Sequence, residues 1–138
     1  MGAFSDSHDV YSTLGDFFEA LLGDPVLGPK MQTLRSVLHV RYTNPPADLT
    51  LDLTRDPPVV VRGSVPERFD AWMEMEADVG NRFWLGRLNV AAAMARGQIK
   101  ARGGVARLMR MVPMMKPAFG LYEGLLRERG RTDLLETP

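Results

Sequence analysis

From Val10 to Leu22 the apolar positions recur at three-and-four spacing: Val10, Tyr11, Leu14, Phe17, Phe18, Leu21 and Leu22 form one stripe. That spacing predicts an amphipathic helix over residues 8–22. Ser7 stands at the cap position, Gly23 offers a left-handed stop, and Pro25 bars continuation. A shorter helix is expected from Pro29 to Arg35, with Met31 and Leu34 inward. The period then drops to two. Leu38, Val40 and Tyr42 alternate with His39 and Arg41, and Leu49, Leu51 and Leu53 alternate with Asp48, Thr50 and Asp52, which predicts two half-buried strands. Asn44-Pro45-Pro46 and Asp56-Pro57-Pro58 punctuate them, because paired prolines cannot donate to a strand ladder. A third strand is expected from Val59 to Arg62. A fourth follows over 69–77, where Phe69, Ala71, Met73, Met75 and Ala77 alternate with Asp70, Trp72, Glu74 and Glu76. The short connections suggest an antiparallel meander.

From Asp78 the helical period returns. Asp78 is placed to cap a helix containing Val79, Arg82, Phe83 and Trp84, and Asn89 to cap a second running from Val90 to Arg96; Gly86 and Gly97 close them. Ile99 to Arg102 reads as a fifth strand. The tail is helical, with Val105, Leu108, Met109 and Val112 on one stripe, broken near Pro113 and restarted after Pro117 through Ala118, Leu121, Tyr122 and Leu125. Arg127 and Arg129 complement the dipole at its end, and the last eight residues are expected to fray.

With 138 residues, of which 45% are hydrophobic and 25% charged, the chain is expected to form one domain over 1–138, with a core that removes about 68% of its unfolded surface from water. The longest run without Asp, Glu, Lys or Arg is Leu88 to Ala95, far short of the roughly 20 residues of a spanning helix. No Lys or Arg precedes Lys30, so no secretory signal is expected and the reading is cytoplasmic. Glu136-Thr137-Pro138 does not match the peroxisomal address. The absence of cysteine removes disulfides, thiolate catalysis and thiolate metal sites.

The zero net charge conceals an asymmetry: residues 1–78 carry 13 acids and 6 bases, and residues 79–138 carry 4 acids and 11 bases. No carboxylate occurs from Val79 through Tyr122, yet Arg82, Arg87, Arg96, Lys100, Arg102, Arg107, Arg110 and Lys116 all lie there. Such a run calls for an anionic partner, or for the acidic first half, including Glu74, Glu76 and Asp78, to fold back and pair with it.

The segment DVGNRFWLGRLNVAAAMARGQIKARGG, Asp78 to Gly104, resembles the diagnostic stretch of the sterol carrier protein type 2, or sterol-binding domain, family. Gly86, the small helix around Ala91 to Ala93, Gly97 and Gly103 take the places of that family's glycines and small-residue helix. The order of elements agrees across about 120 residues, as in small stand-alone bacterial members; Gly104, where many members have an acid, and the poorly apolar fifth strand depart from the pattern. The resemblance implies an α+β two-layer fold: a five-stranded, largely antiparallel sheet covered on one face by helices, enclosing an apolar tunnel. It also implies intracellular binding and transfer of a fatty acyl, acyl-CoA, phospholipid or sterol-like molecule, and it transfers no catalytic residue.

Methionine is the residue type that bears most on such a site, since Met109, Met111, Met114 and Met115 crowd seven positions of the tail. Its unbranched, polarizable side chain suits an adaptable apolar wall, although it also fills core gaps. The candidate ligand-binding set is Met73, Met75, Phe83, Trp84, Leu88, Met94, Leu108, Met109, Val112, Met115, Phe119, Tyr122 and Leu125. Arg107, Arg110 and Lys116 are placed to touch an anionic membrane surface, each base contributing about 1 kcal/mol there. Nucleic acid is not expected, because no binding motif is present and aromatics are not interleaved with the bases. Neither a cofactor nor a metal is expected: G-x-S-x-G, H-E-x-x-H and phosphate-loop spacings are missing, and no second histidine stands near His39. Two other classes remain: a small tailoring enzyme or cyclase using His39 or Glu74 on a hydrophobic intermediate, and an accessory domain whose Met and Arg surface binds another protein.

Overall fold

A computed structural model describes residues 2–137. The first long helix is continuous but uneven: α1 (Ser7–Val10) passes through a π turn (Tyr11–Gly15) into α2 (Asp16–Gly23). Its cap is Asp6 rather than Ser7, since the Asp6 carboxylate accepts from Asp9 N at 2.8 Å. Nor does Gly23 stop it by a left-handed turn. Asp24 leaves the helix in an extended conformation, as the residue before a proline is driven to do, and its carboxylate accepts from Val26 N and Leu27 N. That carboxylate therefore starts α3 (Leu27–Gln32) two residues ahead of the expected Pro29; Met31 and Leu34 are buried as expected.

The strands are β1 (Val37–Thr43), β2 (Ala47–Asp52), β3 (Val59–Arg62), β4 (Ala71–Glu76) and β5 (Ile99–Gly103). They form one sheet in the order β3-β2-β1-β4-β5. β1, β2 and β3 are an antiparallel meander, and β5 is antiparallel to β4, but β4 crosses back to lie parallel to β1. The meander therefore does not extend through the fourth strand. Residues 63–70 reach about 27 Å when extended, enough to pass three strand spacings of about 4.8 Å, so a connection this short still permits a crossover. Asp70 seats its far end, donating from N to Val37 O and accepting from Val37 N through its carboxylate at 2.7 Å. Phe69 and Ala77 fall outside β4: Phe69 turns its ring toward Trp72, and Ala77 opens the next helix.

The registers align Leu38, Leu51 and Ala71, then Val40, Leu49 and Met73, then Tyr42, Ala47 and Met75 on one face. The helices cover that face. α4 (Ala77–Trp84) and α5 (Val90–Ala95) end at Gly86 and Gly97, which adopt φ of 74° and 75° as their sequence positions predicted. Asn89 caps α5 through a 3.0 Å bond from Ala92 N, whereas Asp78 lies inside α4 and accepts from Ala3 N. α6 (Val105–Met111), a 3₁₀ turn (Val112–Met115) and α7 (Lys116–Glu128) reproduce the expected break at Pro113 and restart at Pro117.

The end of the chain is packed, against the expectation of fraying. α8 (Thr132–Leu135) buries Leu134 completely, and the Leu134 carbonyl accepts from Asn81 Nδ2 at 3.0 Å; Pro138 lies outside the described residues. The partner Asn81 lies 53 positions earlier in the chain, so the contact is invisible to local pattern.

Candidate functional site

Between the covered face of the sheet and the helices lies a cavity of about 80 Å³. The sheet contributes Leu38, Val40, Leu51, Ala71 and Met73; α2 and α3 contribute Phe18, Leu21 and Met31, with Leu34 following. Phe83, Trp84 and Val90 close one side, and Leu108, Met109, Met111, Val112 and Met115 form the remaining wall. A second void of about 20 Å³ continues it beneath Tyr42, Met75 and Trp84. Trp84 organises the junction, its ring 4.8 Å from Phe17 and 5.7 Å from Phe18.

Seven of the thirteen candidate residues meet at the main cavity: Met73, Phe83, Trp84, Leu108, Met109, Val112 and Met115. Met75 borders the smaller void. Leu88, Met94 and Leu125 pack against the core outside both linings. Phe119 lies over Gly86, where a β-carbon would come within 2.7 Å of its ring. Tyr122 is fully buried, donating to Asn81 Oδ1 at 2.6 Å, and burial pushes its phenol above the ordinary range. The sequence reading missed the floor and the far wall, from Phe18 to Leu51, together with Ala71 and Val90, and named Met111 in the methionine cluster without placing it in the candidate set. These residues carry helix or strand periodicity that serves a closed core and a cavity wall equally well.

His39 is the single ionisable residue bordering the cavity, and its ring is committed elsewhere. The ring lies on the opposite face of the sheet, 4.3 Å from Trp72, because alternation along β1 sets it against Leu38 and Val40. Its Nε2 lies 2.7 Å from Asp48 Oδ1 and its Nδ1 lies 2.8 Å from Thr50 Oγ1. The neutral tautomer that fits both contacts donates to the carboxylate and accepts from the hydroxyl. Burial pushes the Asp48 carboxyl up, but the hydrogen bonds from Arg41 and His39 outweigh it and hold the group below the usual carboxylate range. Glu74 stands on the same outer face, in register with Arg41 and Lys100. Arg41 and Arg102 stack over Trp72, with their guanidinium carbons 5.0 and 4.6 Å from its ring. Neither His39 nor Glu74 presents an acid or base to the cavity. Among the described residues no cluster of His, Cys, Asp or Glu could hold a metal ion.

The acidic half does not neutralise the basic run. Asp9 pairs with Arg131, Asp16 with Arg62 and Arg129, Asp48 with Arg41, and Asp52 with Arg55. Every one of those arginines lies outside Val79–Tyr122. Among the described residues none of the eight bases of the run forms a salt bridge; Arg87 instead donates to the carbonyls of Leu135 and Thr137.

The fold is shared with solved structures. The sterol carrier protein domain 2 of Helicoverpa armigera superposes with a TM-score of 0.64 at 17% identity, over 80% of this chain and 88% of that one. The fold is that of sterol carrier protein 2. A sterol carrier protein 2 from Aedes aegypti, solved in complex with the C16 fatty acid palmitate, gives 0.54 at 20% identity, over 80% and 94% of the two chains. The stereoselective inverting sec-alkylsulfatase Pisa1 from a Pseudomonas species gives 0.50 at 18% identity over 56% of this chain, which spans only 12% of the sulfatase. No family model and no curated protein matches the sequence. At these identities the likeness to sterol carrier protein 2 is one of fold.

Proposed function

We propose that the protein is a cytoplasmic lipid carrier that holds the apolar part of one fatty acyl, acyl-CoA, phospholipid or sterol-like molecule between the sheet and the helices, in a tunnel grown from the two voids. The observation that carries this reading is the cavity itself, walled by aliphatic, aromatic and thioether side chains inside a sterol carrier protein 2 fold. Burying a dozen methylenes there contributes on the order of 10 kcal/mol gross, so useful affinity needs no polar anchor. The palmitate complex of the Aedes protein supports the same class of ligand. A carrier also suits the disposition of His39 and Glu74, which supply no chemistry to the cavity. Arg107, Arg110 and Lys116 are exposed and suit transient contact with an anionic membrane surface from which a lipid is taken or to which it is returned. Nucleic acid has no part in this function.

The test is native mass spectrometry of the purified protein, followed by organic extraction after unfolding. The expected result is one additional mass of acyl-chain or sterol size, bound one to one and released with loss of the fold. A clean apo mass, together with no uptake of fatty acid, acyl-CoA, phospholipid or sterol, overturns the reading.

A further inference from the structure

The cavity is smaller than its proposed cargo. An engineered cavity of about 150 Å³ is filled by a single benzene, so about 80 Å³ cannot take an acyl chain unless a wall moves. The walls are unequal in what movement would cost. The sheet and α2 contribute residues that are buried or locked in ladders, whereas α6 contains no buried residue and the 3₁₀ turn only Met115. Gly104 gives α6 no side-chain cap, and no side chain from Val105 to Met115 makes a hydrogen bond among the described residues. At one end stands Gly103, with φ of 81°; at the other Pro113 and Pro117 interrupt the helical bonding.

The same segment is two-faced. At 100° per residue Arg107 and Arg110 fall within about 60° of each other, Leu108, Met109 and Val112 occupy the opposite side, and Met111 sits at the boundary beside Arg107 with its side chain still reaching the cavity. That apolar side lines the cavity, while Arg107, Arg110 and neighbouring Lys116 are exposed and form no salt bridge. Met114, 47% exposed, already stands in solvent between them. A helix with unpaired bases beside a thioether-rich apolar face complements one kind of surface, an anionic bilayer, which offers charge at the headgroups and hydrocarbon beneath.

We infer that α6 and the 3₁₀ turn are an interfacial lid. On an anionic bilayer Arg107, Arg110 and Lys116 dock, and Leu108, Met109 and Met111 exchange the cavity for the acyl region of the leaflet. The cavity thereby opens directly onto lipid, and an acyl chain enters without crossing water. This rests on the lipid-carrier reading and adds to it the wall that opens and the surface that opens it.

The chain lacks cysteine, so Met109→Cys provides a single thiol for a small polarity-sensitive dye, with Met111→Cys as a second variant and Ala95→Cys, exposed on α5, as a fixed reference. The labelled proteins, checked for native circular dichroism, are mixed with vesicles of phosphatidylcholine alone or with phosphatidylglycerol added. The expected result is a blue shift and quenching by brominated acyl chains at positions 109 and 111 but not at 95, only with phosphatidylglycerol present. Replacing Arg107, Arg110 and Lys116 by Gln should weaken vesicle partitioning about a hundredfold, at about 1 kcal/mol per charge. Docking with the dyes unquenched overturns the lid, as does an equal spectral response to a lipid-free polyanion such as heparin. Uptake of fatty acid without vesicles tests the carrier reading separately: its failure overturns that reading, whereas normal uptake with immobile dyes overturns the lid alone.

Discussion

The C-terminal clasp and the α6 wall belong to the same basic half of the chain and are held in opposite ways. In the clasp every strong group is spoken for. Arg129 donates to Ser12 O and to Asp16, Arg131 to Asp9 and Asp133, and Asn81 joins the Tyr122 hydroxyl to the Leu134 carbonyl at 0% exposure. In the wall the bases are unpaired and the apolar side chains are only half-buried. The difference shows how one α+β layer combines rigidity with a movable side. Partially buried charge-assisted hydrogen bonds fix the frame, and contact with an incompletely filled cavity, where dispersion has few partners, leaves the wall weakly held.

The sharpest way to break the comparison is at the clasp. Asn81→Ala strands the Tyr122 hydroxyl and the Leu134 carbonyl in a dry interior, and should lower unfolding free energy by about 3 kcal/mol in urea titration. Arg131→Met should cost about 2 kcal/mol at neutral pH, because it frees the largely buried Asp9 carboxylate. This loss carries a pH signature. Burial pushes the Asp9 carboxyl up, but the hydrogen bonds from Arg131 and Ser5 and the Arg131 charge outweigh it and hold the group below its ordinary 3.8. A depressed folded value means that the stabilisation is complete above about pH 4 and disappears as pH falls through the folded value. Thermal unfolding curves of the variant and the parent should therefore lie furthest apart at neutral pH and converge below pH 4. A gap of constant size would show that Arg131 acts by packing alone.

At the wall the expectation reverses, with little change in stability and a clear change in binding. Met109→Ala combined with Met111→Ala should shift the urea midpoint by less than the equivalent of about 1 kcal/mol, yet weaken fatty acid binding about tenfold in a fluorescence displacement assay. Equal affinity in the double variant would remove α6 from the site. The smallest effect is expected from Arg107→Gln with Arg110→Gln, which should alter stability by no more than about 0.5 kcal/mol, since nothing in the fold holds these side chains.

Five strands, the long first helix, the glycine-bounded α4 and α5 and the proline break in the tail were all legible locally, because hydrophobic period and φ-restricted residues act within a few positions of themselves. So were seven of the eighteen residues that line the cavity. Met109, Val112 and Met115 stood out because they were apolar in excess of what one core contact requires. Phe18, Leu38 and Leu51 did not, because a residue facing an empty space and a residue facing a neighbour have the same period.

Three features belonged to the tertiary structure alone. Alternation says which residues share a face and nothing about which strand lies beside which, so only the folded chain could place β4 parallel to β1. Charge counts left open whether the acidic half pairs with the basic run or the run faces an anionic partner, and the acids of the first half pair with Arg41, Arg55, Arg62, Arg129 and Arg131, all outside Val79–Tyr122. The last turn of chain looked free because its one buried anchor, Leu134, finds its partners more than 50 residues away. Local sequence determined the elements through short-range sterics and periodicity. The order of strands, the choice of ion pairs and the unfilled space beneath α6 are properties of long-range packing, in which each contact depends on where all the others have already settled.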